Sequence, residues 1–317
     1  MSILTPHPRG ATASLMLGLF CAFSPTTQGQ SPTTTEADVA RRDMMTAVTG
    51  LSFGTESRFA PPSPADEDLG EQRLLVEDQR YQAFTLFANA SEFYTSNARL
   101  TNGGGPGDWF TALQFGAAYV PRLTGNLFGE ITAVQQLFRY ADLSDLSFNS
   151  LDLGAGLIYV IRDLDDLAVI ARYNYNLLTN ASADQPIFYQ QTIRLGLQKP
   201  FVFSRAHSAT LGLITDLNLD GWPDYALRNR FGLLGSYQAN LTRRLQANLF
   251  YQVAYLPFVE SDRRDWNQIL SAGLAWNFNE FFSVSASVSA SFNDSNESFY
   301  TYSVLNTGGG LSAVIKF

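Results

Sequence analysis

The chain has 317 residues, of which 45% are hydrophobic and 16% are charged, and its formal net charge is −8. The charged fraction is low against the roughly 25% usual for soluble domains. Beyond residue 30 no apolar stretch approaches the ~18 residues of a transmembrane helix, which excludes a helical membrane protein. The acidic balance and the lack of a basic cluster disfavour a nucleic-acid partner, because binding to phosphates requires concentrated positive charge.

Residues 1–29 have the pattern of a secretory signal peptide. Arg9 precedes an apolar core from Ala11 to Phe23, and small residues near Gly29 suit cleavage after that position. Cys21 raises the alternative of lipid attachment, but a bulky phenylalanine stands before it, where such signals need a small residue. The mature chain then has no cysteine, which fits a periplasmic or outer-membrane protein better than a disulfide-stapled domain.

Residues 30–80 differ in composition from the rest of the chain. Glu36 to Val48 can form one short helix with an incomplete apolar face. A proline-rich stretch at 61–64 and an acidic run from Asp66 to Glu71 follow. Because such composition disfavours a packed core, we expect a largely flexible periplasmic segment. The acidic run is either a tether or a plug that enters a barrel from the periplasmic side.

From Tyr81 to Phe317 the sequence alternates with a period of two. The clearest case is Phe281 to Phe292, where serines occupy one phase and apolar residues the other, as on the two faces of a strand. The same pattern predicts about twelve strands, near 82–96, 108–120, 125–140, 147–161, 166–179, 186–199, 206–219, 226–241, 243–257, 266–278, 281–293 and 304–317. Strands this long suit a tilted bilayer crossing.

Short turns alternate with longer loops between these strands, which is the arrangement of outer-membrane barrels. The predicted fold class is therefore all-β, a transmembrane antiparallel up-and-down β-barrel over residues 81–317. Its apolar face points outward, with aromatic residues near both ends of the strands as in membrane barrels. A soluble β-sandwich or lipocalin-like barrel with the apolar face inward is the alternative.

The third predicted strand is irregular. Phe128, Val134 and Phe138 fall on the same phase as the polar residues Glu130 and Gln136. A β-bulge that shifts the phase would account for this mixture. A misplaced strand boundary would account for it as well.

The last segment carries a family resemblance. Phe317 ends the chain, and Leu311, Ala313 and Ile315 share its face. With the signal peptide and the alternating strands, this segment resembles Gram-negative outer-membrane β-barrel, porin-like proteins, with no specific subfamily matched. The resemblance implies location in the outer membrane, contact with outer-membrane lipid, and recognition of the C-terminal residues by the barrel assembly machinery.

The polar phase places charged residues in the predicted lumen. They form an arginine-bearing wall and an acidic wall, made by Arg172, Arg194, Arg228, Arg230, Asp152, Asp216 and Glu130. Such walls either orient solutes at a constriction or form salt bridges that simply fill the barrel. Twelve strands lie between the filled and the open size ranges, and small inward residues such as Gly116 and Gly232 favour a narrow channel.

The chain lacks the residues that enzymatic barrels use. After cleavage of the signal only His207 remains, and the neighbouring Ser208 points to the opposite face of its strand. No GxSxG motif and no metal-ligand spacing is present in the sequence, so we predict no catalytic residue, no metal and no cofactor.

Two functions follow from these patterns. The first is a porin-like channel for small polar or anionic solutes. The alternative is a structural or anchoring barrel, plugged or part of an envelope export complex, in which residues 30–80 contact a periplasmic partner. The sequence leaves the oligomeric state and the solute open.

Overall fold

The computed structural model describes residues 34–49, 82–204 and 206–317. Within these ranges the chain forms one α-helix, α1 (Thr34–Thr49), and thirteen strands. The strands are β1 (Phe84–Thr95), β2 (Asp108–Tyr119), β3 (Arg122–Thr124), β4 (Leu127–Tyr140), β5 (Phe148–Ile161), β6 (Leu167–Asn180), β7 (Pro186–Val202), β8 (His207–Trp222), β9 (Arg230–Asn240), β10 (Leu245–Pro257), β11 (Arg264–Asn277), β12 (Phe282–Ser295) and β13 (Tyr302–Lys316).

The strands close into an antiparallel barrel. Each long strand pairs with the next, β2 pairs directly with β4, and β1 pairs with β13. The three-residue β3 lies within the short connection between β2 and β4. At the seam, Phe84 and Phe317 exchange backbone hydrogen bonds of 3.0 Å in both directions, and their rings stack at 5.8 Å. The predicted fold class is confirmed as an up-and-down barrel of twelve long strands.

Strand alternation separates two surfaces. Outward positions carry exposed apolar side chains such as Leu211 and Val288, whereas the neighbouring Gly212 and Ser287 face inward. Aromatic pairs mark both ends of the outer surface: Tyr94 lies 5.6 Å from Trp109 at the long-loop end, and Phe84 lies 4.3 Å from Tyr119 at the short-turn end (centroid distances). No helix among the described residues is both long and apolar enough to span a bilayer.

The irregular third strand, β4, contains no bulge. Its register against β5 runs without a shift from Leu127 to Phe138, and its register against β2 is equally continuous. Neither a bulge nor a misplaced boundary is needed, so that expectation was wrong. Phe128, Val134 and Phe138 point into the lumen, and Phe138 is buried there in a hydrophobic cluster beside α1.

Helix α1 lies inside the barrel. One side of it, with Val39 and Met45, packs in a cluster with residues of β1, β2 and β4 to β7. The other side, with Ala37 and Met44, packs in a second cluster with residues of β10, β11 and β13. A helix on a protein surface carries one apolar stripe; α1 carries two, which fits a helix enclosed on all sides.

The helix has a defined direction. Glu36 binds Arg263 of the loop before β11, at the long-loop end, whereas Met45 borders a cavity with Asn89 and Gln136 nearer mid-barrel. Helix formation itself agrees with the pattern over Glu36 to Val48, but the expected periplasmic position of this helix does not hold, because its partners are lumen residues. The predicted signal peptide (1–29) and the acidic run from Asp66 to Glu71 lie outside the described residues.

Candidate functional site

The candidate site is the contact between α1 and the charged wall of the lumen. Asp43 of α1 accepts hydrogen bonds through Oδ2 from Arg228, at 2.7 Å, and from Arg230. Its other oxygen, Oδ1, accepts from Arg42 of the same helix, which also donates to Asn176 of β6. Because all four charged groups are largely removed from solvent, these charge-assisted bonds are stronger than exposed ones.

The charged residues predicted from the sequence do face the lumen, but they do not form two walls. Arg194 binds Asp216 through two bonds of 2.6 and 2.8 Å, and Arg172 donates to Glu130 at 2.9 Å. Arg194 thus pairs with an acid of the neighbouring strand and Arg172 with one two strands away, whereas Arg228 and Arg230 pair mainly with Asp43 of α1. The expectation of an arginine wall opposed to an acidic wall was therefore wrong.

Two further predicted residues take different positions. Asp152 on β5 accepts from Asn176, at 2.6 Å, and from Ser150, at 3.0 Å. Arg228 stands two residues before β9 and makes a single backbone bridge with Phe258, rather than lying within a long strand. Asp152 thus belongs to the polar network around Arg42, while Arg228 reaches in from the rim.

A second ion cluster holds the outer end of α1. Arg263 donates to Glu36 at 2.6 Å and to Asp265 at 2.6 and 3.0 Å. Its guanidinium carbon lies 4.0 Å from the ring centroid of Phe258 and 3.3 Å from that of Tyr300. This arrangement combines ion pairing with cation–π contact. The sequence pattern marks Glu36 only as the start of a helix and gives no role to Arg263, Asp265, Phe258 or Tyr300.

Arg41 fixes the opposite side of α1. It is 2% exposed and donates to the carbonyl of Ala98 at 2.7 Å and to Thr95 at 3.3 Å. Its guanidinium carbon lies 5.5 Å from the ring centroid of Phe110 and 5.3 Å from that of Tyr140. A buried cation with these partners positions the helix against β1, β2 and β4.

The pKa values of two buried carboxyl groups of α1 shift in opposite directions. Burial raises the pKa of Asp38 well above its usual value; nearby Arg41 opposes the rise and Asp145 adds to it. Burial also acts to raise the pKa of Asp43, but attraction from Arg230, Arg42 and Arg228 outweighs it and holds that pKa well below the usual range. Asp43 is therefore a carboxylate at neutral pH, while the charge of Asp38 opposes its burial.

The lumen differs in character between its two halves. In the outer half, next to the long loops, α1 covers the inward side chains, and Ser289 and Ser291 of β12 are 5% and 1% exposed. In the inner half, Ser283, Ser285 and Ser287 of the same strand keep intermediate exposure. The inner half is thus a partly accessible vestibule with both polar and apolar side chains, and the outer half is filled by α1.

Small inward residues do not by themselves indicate an open lumen. A Cβ placed on Gly116 would lie 2.1 Å from the ring of Phe87, and one on Gly232 would lie 3.0 Å from Ile214. At both positions glycine makes room for a large neighbouring side chain. The argument from glycine to an open channel is therefore weaker than the sequence suggested.

The strands carried a signal for the enclosed helix that the sequence analysis missed. Near the long-loop ends, large apolar residues occupy the inward phase and pack with α1 in one cluster: Phe93, Phe110, Phe138, Tyr140, Phe148, Leu178 and Phe188. A water-filled lumen has no reason to collect such residues at one level. Their common depth predicts that something apolar fills the barrel there.

His207 has no nucleophile beside it. It stands at the start of β8, on the short-turn side, and its Nδ1 lies 2.6 Å from the hydroxyl oxygen of Tyr237. Ser208, the next residue in the strand, alternates to the other face. Among the described residues, no group of three or more His, Cys, Asp and Glu side chains could hold a metal ion.

No family model matches the chain. No curated protein sequence matches it either.

Comparison with solved structures finds other barrels. An outer membrane channel from Pseudomonas putida F1 is 12% identical, with a TM-score of 0.49, over 76% of this chain and all of that one. The KdgM porin in complex with disordered oligogalacturonate is 7% identical, with a TM-score of 0.41, over 72% of this chain and 98% of that one. The translocator domain of autotransporter NalP from Neisseria meningitidis is 11% identical, with a TM-score of 0.44, over 89% of this chain and 96% of that one.

The first two neighbours are described as an outer membrane channel and a porin, which agrees with the resemblance to outer-membrane, porin-like barrels, and the set singles out no subfamily. The fold assignment rests on the strand pairing of this chain itself. What the neighbours carry or bind is a property of those proteins.

Proposed function

We propose that the chain is an outer-membrane, porin-like channel for small polar or anionic solutes, closed in its outer half by α1. The observation that carries this proposal is the division of the lumen. A closed barrel whose inner half keeps accessible polar side chains is obstructed in its outer half by a segment that is not part of the barrel wall. Removal of α1 would open the outer half, where apolar side chains such as Phe93 and Phe110 line the wall together with Arg228 and Arg230.

The outer surface supports the membrane location. Its exposed apolar residues form a band between two sets of aromatic side chains, which matches the hydrocarbon layer and its two interfaces. Outer-membrane lipid is therefore the proposed environment of this surface.

The C-terminal face supports assembly by the barrel assembly machinery. Leu311, Ile315 and Phe317 project outward at the seam, where Phe317 stacks on Phe84. Deletion of Phe317 should reduce the amount of protein in the outer membrane while export across the inner membrane continues. Normal outer-membrane accumulation of the truncated protein would contradict the assembly role.

Single-channel recording in planar bilayers tests the channel. We expect the full chain to show rare, small openings, and a variant lacking residues 34–49 to conduct steadily with an ohmic current, because conductance rises with the open cross-section. Thr46, an exposed residue of α1, provides a control: Thr46→Ala should remain closed. Silence of the deletion variant, with the barrel still folded, would contradict a channel.

A structural or anchoring barrel is the second candidate. The observation that favours it is the extent of the plug contact, with two hydrophobic clusters and two ion clusters around a helix of 16 residues. Silence after deletion of α1 would support this function. In either case the contacts of α1 lie within the barrel, so a periplasmic partner would have to bind elsewhere in residues 30–80.

A further inference from the structure

The wall of the lumen presents a cationic site that α1 fills. Arg228 and Arg230 both donate to Oδ2 of Asp43, and their side chains are 11% and 16% exposed. Asp216 lies 4.0 Å from Arg230, but it accepts two shorter hydrogen bonds from Arg194. Asp43 is therefore the main carboxylate partner of this arginine pair among the described residues.

The cluster carries more positive than negative charge even with α1 in place. Three guanidinium groups, from Arg42, Arg228 and Arg230, share the Asp43 carboxylate. Burial lowers the pKa of Arg228, and the neighbouring Arg230 and Arg42 lower it further, against the opposing effect of Asp43. Departure of α1 would remove the carboxylate that both arginines share and leave two adjacent cations on the wall of the opened lumen.

Arg228 and Arg230 also line a small cavity. Asp43, Arg228 and Arg230 line a cavity between α1 and the barrel wall, and Asn267 and Tyr302 line its other side. The arginine pair therefore borders a small space beside Asp43 and is not packed against protein on every side. Guanidinium groups match carboxylates in charge and hydrogen-bond geometry.

We infer that Arg228 and Arg230 form a binding site for a solute carboxylate, and that Asp43 occupies this site as an internal ligand when α1 closes the lumen. A carboxylate solute and α1 then compete for the same two arginines. This inference deepens the proposed function, because it assigns a ligand class to the site that closes the channel.

Chemical rescue tests the site without relying on conduction. Asp43→Ala removes the internal carboxylate, and acetate has the structure of the missing side chain. We expect the variant to unfold at a lower temperature than the parent, by heat-modifiable migration on gels. Acetate should restore part of the loss, whereas its neutral analogue acetamide, and chloride at equal ionic strength, should not.

Asp38→Ala is the matched control, because Asp38 lies on the same helix but makes no hydrogen bond or ion pair with Arg228 or Arg230. Acetate should leave its unfolding temperature unchanged. Equal effects of acetate and acetamide on Asp43→Ala, or equal acetate effects on the two variants, would overturn the carboxylate site.

Chloride currents through the barrel that lacks residues 34–49 provide a second test. Acetate should reduce these chloride currents. The double variant Arg228→Gln with Arg230→Gln should raise severalfold the acetate concentration that halves the current. Arg99→Gln, at an exposed loop arginine paired with Asp145, should leave that acetate concentration unchanged. A conducting barrel that acetate slows no more than acetamide does would overturn the site and leave the channel standing; a silent barrel would contradict the channel, while the rescue of Asp43→Ala would still decide the site.

Discussion

The two ends of β12 face the same lumen with the same side chain, yet their serines have different surroundings. Ser283, Ser285 and Ser287 border the accessible inner half, and Ser289 and Ser291 are buried beneath α1. Strand alternation places all five inward. The comparison shows that alternation determines which side chains face the lumen, while α1 determines which of them meet solvent.

The inward phase of the other strands reflects the same division. Near the long-loop ends it carries Phe93, Phe110 and Phe138, which pack against α1. Towards the short turns it mixes small and polar residues, and the pair of Arg172 and Glu130, with apolar residues such as Phe87 and Phe128. The outer half is built as a core and the inner half as a vestibule, within one barrel.

The largest expected effect is on the folding of the barrel wall, which both halves of the lumen share. Val288 faces outward at the middle of β12, so Val288→Lys would place a charge in hydrocarbon at a cost of about 2–4 kcal/mol. We expect loss of the folded, heat-modifiable form. Ser287→Lys, which points into the lumen, should assemble; equal behaviour of the two variants would contradict the assignment of faces.

A lysine introduced at an inward position should have different effects in the two halves of the lumen. Ser291→Lys would bury a charge beneath α1, and we expect weakening of helix docking by about 2 kcal/mol or more. Ser285→Lys, three positions along the same phase in the inner half, should have little effect. Ala37 is buried when α1 is docked, so weaker docking exposes it. A cysteine introduced at Ala37 should therefore react faster with maleimide in the Ser291→Lys variant than in the parent.

If Ser291→Lys and Ser285→Lys leave the labelling rate equally slow, the outer half is not filled as described.

Loss of the Arg41 contacts should weaken the outer half alone. Arg41→Met keeps much of the length of the side chain but removes the hydrogen bonds to Ala98 and Thr95, with an expected cost of about 1–3 kcal/mol to docking. The same cysteine at Ala37 should label faster, while heat-modifiable migration stays normal. Arg99→Gln, an exposed loop variant, should match the parent.

The smallest expected effect depends on pH. Because burial raises the pKa of Asp38, its contribution to docking is fully present below its ordinary value of about 4 and is lost as pH rises through the raised value. Labelling at Ala37 should therefore slow as pH falls from neutrality towards 5, after correction for thiol ionisation. Asp38→Asn should label slowly throughout this range, and an unchanged pH response in that variant would exclude Asp38 as the cause.

Much of the barrel could be predicted from the sequence, because period-two alternation is a local property of the chain. Strand positions and the outward face follow from it, whereas the pairing of β1 with β13 beside Phe317 is seen only in the structure. The bulge expected in β4 was wrong for an informative reason. Phe128, Val134 and Phe138 were judged against a wholly polar lumen, whereas Phe138 faces a lumen that α1 partly fills.

The site itself depends on contacts between distant parts of the chain. Glu36 meets Arg263 across 227 positions, and Asp43 meets Arg228 across 185. Local composition gives α1 only a short pattern with scattered charges, so its partners could not be read from it. The inward aromatic residues at one depth were the available signal, since they require an apolar partner inside the barrel.

Disulfide formation between α1 and the barrel wall tests the central claim most directly. Ala37 and Leu100 belong to one buried cluster, and the only cysteine of the chain, Cys21, lies in the predicted signal peptide. Ala37→Cys with Leu100→Cys should therefore crosslink efficiently in folded protein isolated from the outer membrane. Ala37→Cys with Ser287→Cys, which pairs α1 with the inner half, should not. Efficient crosslinking of the second pair, or failure of the first in folded protein, would contradict a helix that fills the outer half of the lumen.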